Sequence, residues 1–145
     1  MDPTTTRQPR KMRISGDPHQ LAAVRIQVQT FARDVGFADS DCVHIALAVD
    51  EALANVIEHS YGGRCGEPID IELADAGHKG RAGIQIKVRD YGRQVDPGVI
   101  RSRELENVRP GGLGVHIIRS VMDEVDYTPA DGAGMVLVMK KLSRS

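Results

Sequence analysis

The chain has 145 residues, 41% of them hydrophobic, with 19 Lys plus Arg, 20 Asp plus Glu and a formal net charge of −1. That length gives one domain a core of its own and excludes a multidomain machine. Near-neutral charge argues against a general phosphate-backbone binder, and three Tyr, two Phe and no Trp offer few platforms for stacked bases.

No run approaches the roughly 20 apolar residues that span a bilayer. The opening MDPTTTRQPRK has no apolar centre and does not read as a secretory signal. Cys42 and Cys65 lack CxxC spacing and any nearby His/Cys cluster. Both are expected as reduced thiols of a cytoplasmic protein, without a structural zinc site.

Residues 1–10 are polar, carry two Pro and are expected as a frayed tail, with one domain over 11–145. Residues 11–14 form a candidate first strand. Asp17-Pro18 then reads as an N-cap followed by Pro at the first helical position. Leu21, Val24, Val28, Phe31 and Val35 follow at steps of three and four, and Gly36 stands where that helix should stop. A second helix is expected from Asp39 or Ser40 to about His59, with Ile45, Ala46, Val49, Leu53, Val56 and Ile57 as its apolar face.

Residues 69–73 alternate with period two, as do Ile84, Ile86 and Val88 beyond a Gly-rich turn, which predicts a hairpin. Residues 91–112 are rich in Gly, Pro and Arg and have no regular period. A segment of that length is usually functional or disordered. Helical period returns from Leu113 to Met122, and residues 124–127 and 135–142 predict a closing hairpin. The expected fold is α/β (α+β): a two-layer sandwich with a mixed, mostly antiparallel sheet, hairpins at both sheet ends and helices on one face.

Three clusters carry chemistry. Glu51 and Asn55 lie one turn apart on the most apolar helix, where a carboxylate can activate a nucleophile and an amide oxygen can ligate Mg²⁺. The same spacing also suits a solvated stripe. Asp90-Tyr-Gly92 ends a strand, where a carboxylate can accept an exocyclic amine and Gly92 lets a ligand approach the backbone, or it can be a plain turn. Gly111-Gly112-Leu113-Gly114 opens a helix, whose amide groups can bind phosphate, or it can be a hinge. The Lys-Ser/Thr of a P-loop and the βαβ setting of a Rossmann site are both missing.

Taken in this order, the clusters resemble the Bergerat-fold (GHKL) ATPases, which include histidine kinases, type II topoisomerases, mismatch-repair ATPases and chaperones. The gaps from Asn55 to Asp90 and from Gly92 to Gly112 suit the smallest members. Within that superfamily the chain is similar to the bacterial anti-sigma-factor serine/threonine kinases. The likeness rests on VDEALANVIEHSY at 49–61, VRDYGRQVDP at 88–97, GGLGVHIIRSVMDEV at 111–125 and GAGMVLVMK at 132–140.

The resemblance implies roles for matching positions. Glu51 is the general base and Asn55 the Mg²⁺ ligand. Asp90 recognises adenine beside Gly92. Gly112, Leu113 and Gly114 close over the phosphates, and Arg109 reaches the terminal phosphate. One departure stands out: where the family has Asp-x-Gly-x-Gly, this chain has Asp90-Tyr-Gly92-Arg-Gln94, so the second glycine is lost. Asp96-Pro97 comes next, as in many anti-sigma members.

The implied activity is partner switching. The protein binds ATP-Mg, sequesters a sigma factor, and phosphorylates a STAS-type anti-sigma-factor antagonist on Ser or Thr. A homodimer is expected through the first strand and helix, with neither direct nucleic-acid nor membrane binding. The alternative is a nucleotide-dependent module that sequesters its partner without kinase activity. The catalytic half of a histidine kinase fits poorly, because no phosphoacceptor helix pair precedes Glu51; regulation is expected in trans. His44, His59, His78 and His116 are expected as surface or packing residues.

Overall fold

In a computed structural model of the chain, residues 8–64, 66–94 and 113–144 are described. The elements run β1 (Arg10–Ile14), α1 (Pro18–Val35), α2 (Asp39–Asn55), β2 (Ile69–Asp75), β3 (Gly83–Asp90), α3 (Leu113–Val121), β4 (Glu124–Pro129) and β5 (Met135–Leu142).

Helix α1 begins and ends where local chemistry dictates. The Asp17 side chain accepts from the His19 N–H at 2.8 Å, capping a helix whose first residue is Pro18. At the other end Gly36 takes φ 114°, a left-handed conformation that a side chain disfavours. Residues 36–38 then fold α2 back along α1, with Arg25–Asp50 at 2.7 Å and Arg33–Asp39 at 3.1 Å between the two helices.

The sheet order is β1-β2-β3-β5-β4, and all four described pairings are antiparallel. The two predicted hairpins form. The first turns at Lys79 and Gly80, both at positive φ, as a two-residue turn between twisted strands requires. Of the two hairpins expected at the sheet ends, only β4–β5 lies at one, because β1 pairs outside β2 and makes the other edge itself. Only a tertiary contact could decide this, since two helices separate β1 from its partner. The pairing starts at Arg10, opposite Leu73, one residue earlier than expected.

Alternation along the strands divides the sheet into two faces. Ile69, Ile71, Leu73, Ile84, Ile86, Val88, Leu137 and Met139 are buried in one cluster with Val24, Val28, Ile45, Val49, Leu53 and Ile118 of the helices. Each such aliphatic side chain contributes roughly 1.5–3 kcal/mol by leaving water. Helix α2 packs against both α1 and α3, which explains its seven buried residues. The opposite face carries Lys11, Arg13, Asp70, Glu72, Lys87 and Arg89 around an open hollow of about 370 Å³. No helix among the described residues is long and apolar enough to cross a membrane.

Cys42 is a free, buried thiol, and burial raises its pKa. It donates to the Phe37 carbonyl at 3.7 Å. Cys65 and residues 1–7 lie outside the described residues.

Candidate functional site

The second helix does not run unbroken to His59. It is α-helical to Asn55 and then widens into a π-helical turn over Val56–Ser60, closed by Tyr61 N–H to the Val56 carbonyl at 3.1 Å. Such turns occur often at functional sites because the extra residue re-aims the side chains beyond it. Here it brings Ser60 against the end of β3. The Ser60 hydroxyl donates to Asp90 Oδ2 at 3.1 Å, and the Ser60 carbonyl accepts from Arg93 N–H at 3.4 Å.

Asp90 is the only buried charged residue among those described, at 2% exposure. It sits on the core side of the sheet, in register with Ile69. Its Oδ1 accepts from Gly92 N–H at 3.0 Å and from Met135 N–H at 3.3 Å. Among the described residues, three donors therefore hold the carboxylate. A carboxylate has about four acceptor positions, so one at Oδ2 is left for an incoming donor. An exocyclic amine suits that position, whereas a carbonyl oxygen is repelled by it.

Gly92 is required by the chain itself. A Cβ there would lie 2.3 Å from the Ser60 carbonyl oxygen. The sequence pattern offered the glycine's freedom to a ligand or to a plain turn; in the structure the π-turn backbone lies against it.

Tyr61 belongs to a motif of the sequence but had no role there. Its buried hydroxyl donates to the Pro68 carbonyl at 2.5 Å and accepts from Tyr91 N–H at 2.7 Å. Burial raises its pKa, partly offset by the Tyr91 N–H. Ser60 also had no assigned role; the signal was a hydroxyl just before that tyrosine. Beyond Asp90, the Tyr91 ring lies under the Arg89 guanidinium, 4.5 Å from the ring centroid, and its hydroxyl donates to Asp70. Asp70 is also gripped through two bonds by Arg13, which holds its pKa near 2.

Glu51 and Asn55 are half-buried on α2, one turn apart, directly before the π turn. Neither side chain has a hydrogen-bond partner among the described residues. The Asn55 amide oxygen is thus available as a hard donor. No group of three or more His, Cys, Asp or Glu that could enclose a metal occurs among the described residues. A single amide oxygen suits Mg²⁺, an ion bound through one or two protein ligands together with substrate phosphates.

Helix α3 starts at Leu113 and packs against α2, so Gly114 lies inside its first turn. Arg109, Gly112 and Asp96-Pro97 lie outside the described residues. His44 and His78 are exposed and His59 half-buried, in keeping with surface roles.

The family model described as the histidine kinase-like ATPase domain matches residues 14–141. A serine-protein kinase RsbW of Bacillus pumilus is 26% identical over 142 residues, covering 92% of this chain and 86% of that protein. One from Halalkalibacterium halodurans is 28% identical over 141 residues, covering 90% and 81%. Among solved structures, the RsbU and RsbW domains of a Mycobacterium tuberculosis protein align with TM-score 0.65 at 19% identity. That alignment covers 96% of this chain and 34% of the solved one, so the chain spans about a third of it. The SiaB–SiaC complex of Pseudomonas aeruginosa aligns with TM-score 0.63 at 11% identity, covering 92% and 88%. These last two likenesses concern the fold.

Proposed function

The chain belongs to the histidine kinase-like ATPase family, and from that premise we propose that it is an ATP-dependent protein serine/threonine kinase and anti-sigma factor that works by partner switching. It binds ATP, holds a sigma factor inactive, and phosphorylates a STAS-type antagonist protein. The observation that carries the nucleotide reading is the Asp90 carboxylate, buried and held by three donors among the described residues, which leave it one acceptor position. An acceptor at the end of β3 suits the exocyclic amine of adenine, and the choice of ATP rests on the family to which the chain belongs. The relatives named serine-protein kinase support the choice of a protein hydroxyl as phosphate acceptor.

The residues then divide the work. Asp90 orients the base, backed by Ser60 and Gly92. Asn55 would hold Mg²⁺, which neutralises charge on the phosphates when bound. Glu51 accepts the proton of the antagonist's hydroxyl. That oxygen bonds to the γ-phosphorus as the bond to the β-bridging oxygen breaks, leaving a phosphorylated antagonist and ADP. Gly112, Leu113 and Gly114 cover the phosphates with α3's N-terminal amides, and Arg109 reaches the terminal phosphate. The phosphorylated antagonist leaves because about −1.5 to −2 charges enter the contact. The unmodified antagonist competes for the kinase and frees the sigma factor. We place the working protein in the cytoplasm as a homodimer.

The test is incubation with ATP, Mg²⁺ and the antagonist, followed by intact-mass measurement. A gain of one phosphate is expected. An unchanged mass with nucleotide demonstrably bound sinks the kinase reading and leaves a binding module that sequesters by occupancy.

A further inference from the structure

The one departure from the expected motif, Gln94 in place of a glycine, is not a silent loss. The Gln94 side-chain amide donates to the Ala130 carbonyl at 2.8 Å and also to the Gly132 carbonyl. Both belong to the turn that joins β4 to β5. Arg89 donates from its other flank to the Asp131 and Ala133 carbonyls, at 3.3 and 3.2 Å. Four successive carbonyls of one turn are thus bound by the two side chains that bracket Asp90-Tyr91-Gly92.

The turn is also pressed onto Asp90 itself. A Cβ on Gly134 would lie 1.9 Å from the Asp90 carbonyl oxygen, and the next residue, Met135, donates its N–H to the Asp90 side chain. On the opposite side, Arg93 ties the same segment to the π turn, through its N–H to the Ser60 carbonyl and its Nε to the His59 carbonyl at 3.2 Å. Residues 89–94 are therefore strung between two supports. Gln94 makes the last connection to one of them among the described residues, and a glycine has no side chain to make it.

We propose that Gln94 is a positioning residue for nucleotide binding: it braces the Asp90–Gly92 wall against the β4–β5 turn and so sets the fit of the base. This deepens the nucleotide-binding reading and rests on it. Glutamate has the same reach but no amide donor, and its charge opposes the carbonyls. Glycine restores the family pattern without the brace.

The experiment compares the wild type with Gln94→Glu, Gln94→Asn and Gln94→Gly in the full chain. A fluorescent ADP analogue is titrated by anisotropy, ATP kinetics are measured with the antagonist, and amide exchange is followed at residues 132–135. Loss of two hydrogen bonds should raise the Kd roughly three- to tenfold in Gln94→Glu and Gln94→Gly. The ATP KM should rise with little change in kcat, exchange at 132–135 should quicken, and melting temperatures should stay near the wild type. Variants that bind within twofold of the wild type, or leave exchange at 132–135 unchanged, overturn the proposal. A wild type that binds no nucleotide overturns the underlying reading instead, and the exchange comparison still shows whether Gln94 braces the turn.

Discussion

Ser60 and Asp90 meet across 3.1 Å, the hydroxyl of one donating to the carboxylate of the other. This bond joins the helix that carries Glu51 and Asn55 to the strand that ends in Asp90. It forms because the helix changes from α to π winding directly after Asn55. A residue assigned to phosphates and a residue assigned to the base are thereby held on one frame.

Asp90→Asn should fold nearly as well as the wild type and bind nucleotide at least about tenfold more weakly. The amide oxygen can keep the Gly92 and Met135 N–H groups, and Ser60 can reverse to accept from the NH₂. The position offered to an incoming amine, however, becomes a donor. Calorimetric titration with ADP read beside a thermal melt checks both halves.

Gly92→Ala should destabilise the fold by about 1–3 kcal/mol, because the added methyl meets the Ser60 backbone and not a movable side chain. Urea unfolding followed by circular dichroism measures it. A cost near zero would mean that residues 60 and 92 are not in contact.

Glu51→Ala should slow antagonist phosphorylation by roughly 10²–10⁴-fold, the usual contribution of a general base. Sigma-factor capture in a pull-down should stay within about twofold of the wild type. Glu51 has no partner to lose among the described residues, so the melting temperature should hardly move. Phosphorylation at the wild-type rate would remove the base assignment.

Asp70 gives the fold an acid-sensitive contact. Hydrogen bonding from Arg13 lowers its pKa from 3.8 to about 2. A carboxylate lowered in the folded state adds stability above its unfolded pKa and loses it as pH falls through the folded value. Asp70's contribution is therefore complete above about pH 4 and fades towards pH 2. The stability difference between wild type and Asp70→Asn should shrink over that window, as measured by urea titrations at stepped pH. It should also shrink in high salt, since Arg13 is exposed.

Much of the fold was legible because its signals are local. Asp17-Pro18 and Gly36 bound α1 through capping chemistry that involves only near neighbours. The alternation of Ile69, Ile71 and Leu73 named the buried face of β2, since a strand's period is two. What stayed hidden depends on residues far apart in the chain. Nothing near Arg10 announces Leu73 as its partner, so the place of β1 outside β2 was missed. The helical period through Ile57 could not reveal the π turn, because its benefit lies in contacts with Asp90 and Gly92.

The sequence by itself determined most of the elements, the apolar faces and residues to suspect, among them Glu51, Asn55, Asp90, Gly92 and, as an oddity, Gln94. Periodicity and capping are written within a few residues, so they survive without coordinates. Only the tertiary structure decided what those residues touch. It added a packing requirement at Gly92, gave Ser60 and Tyr61 their hydrogen bonds, and showed Gln94 bonded to a turn nearly forty residues away. Such contacts arise where the ends of separate strands and a helix converge, and no local pattern in the chain encodes that convergence.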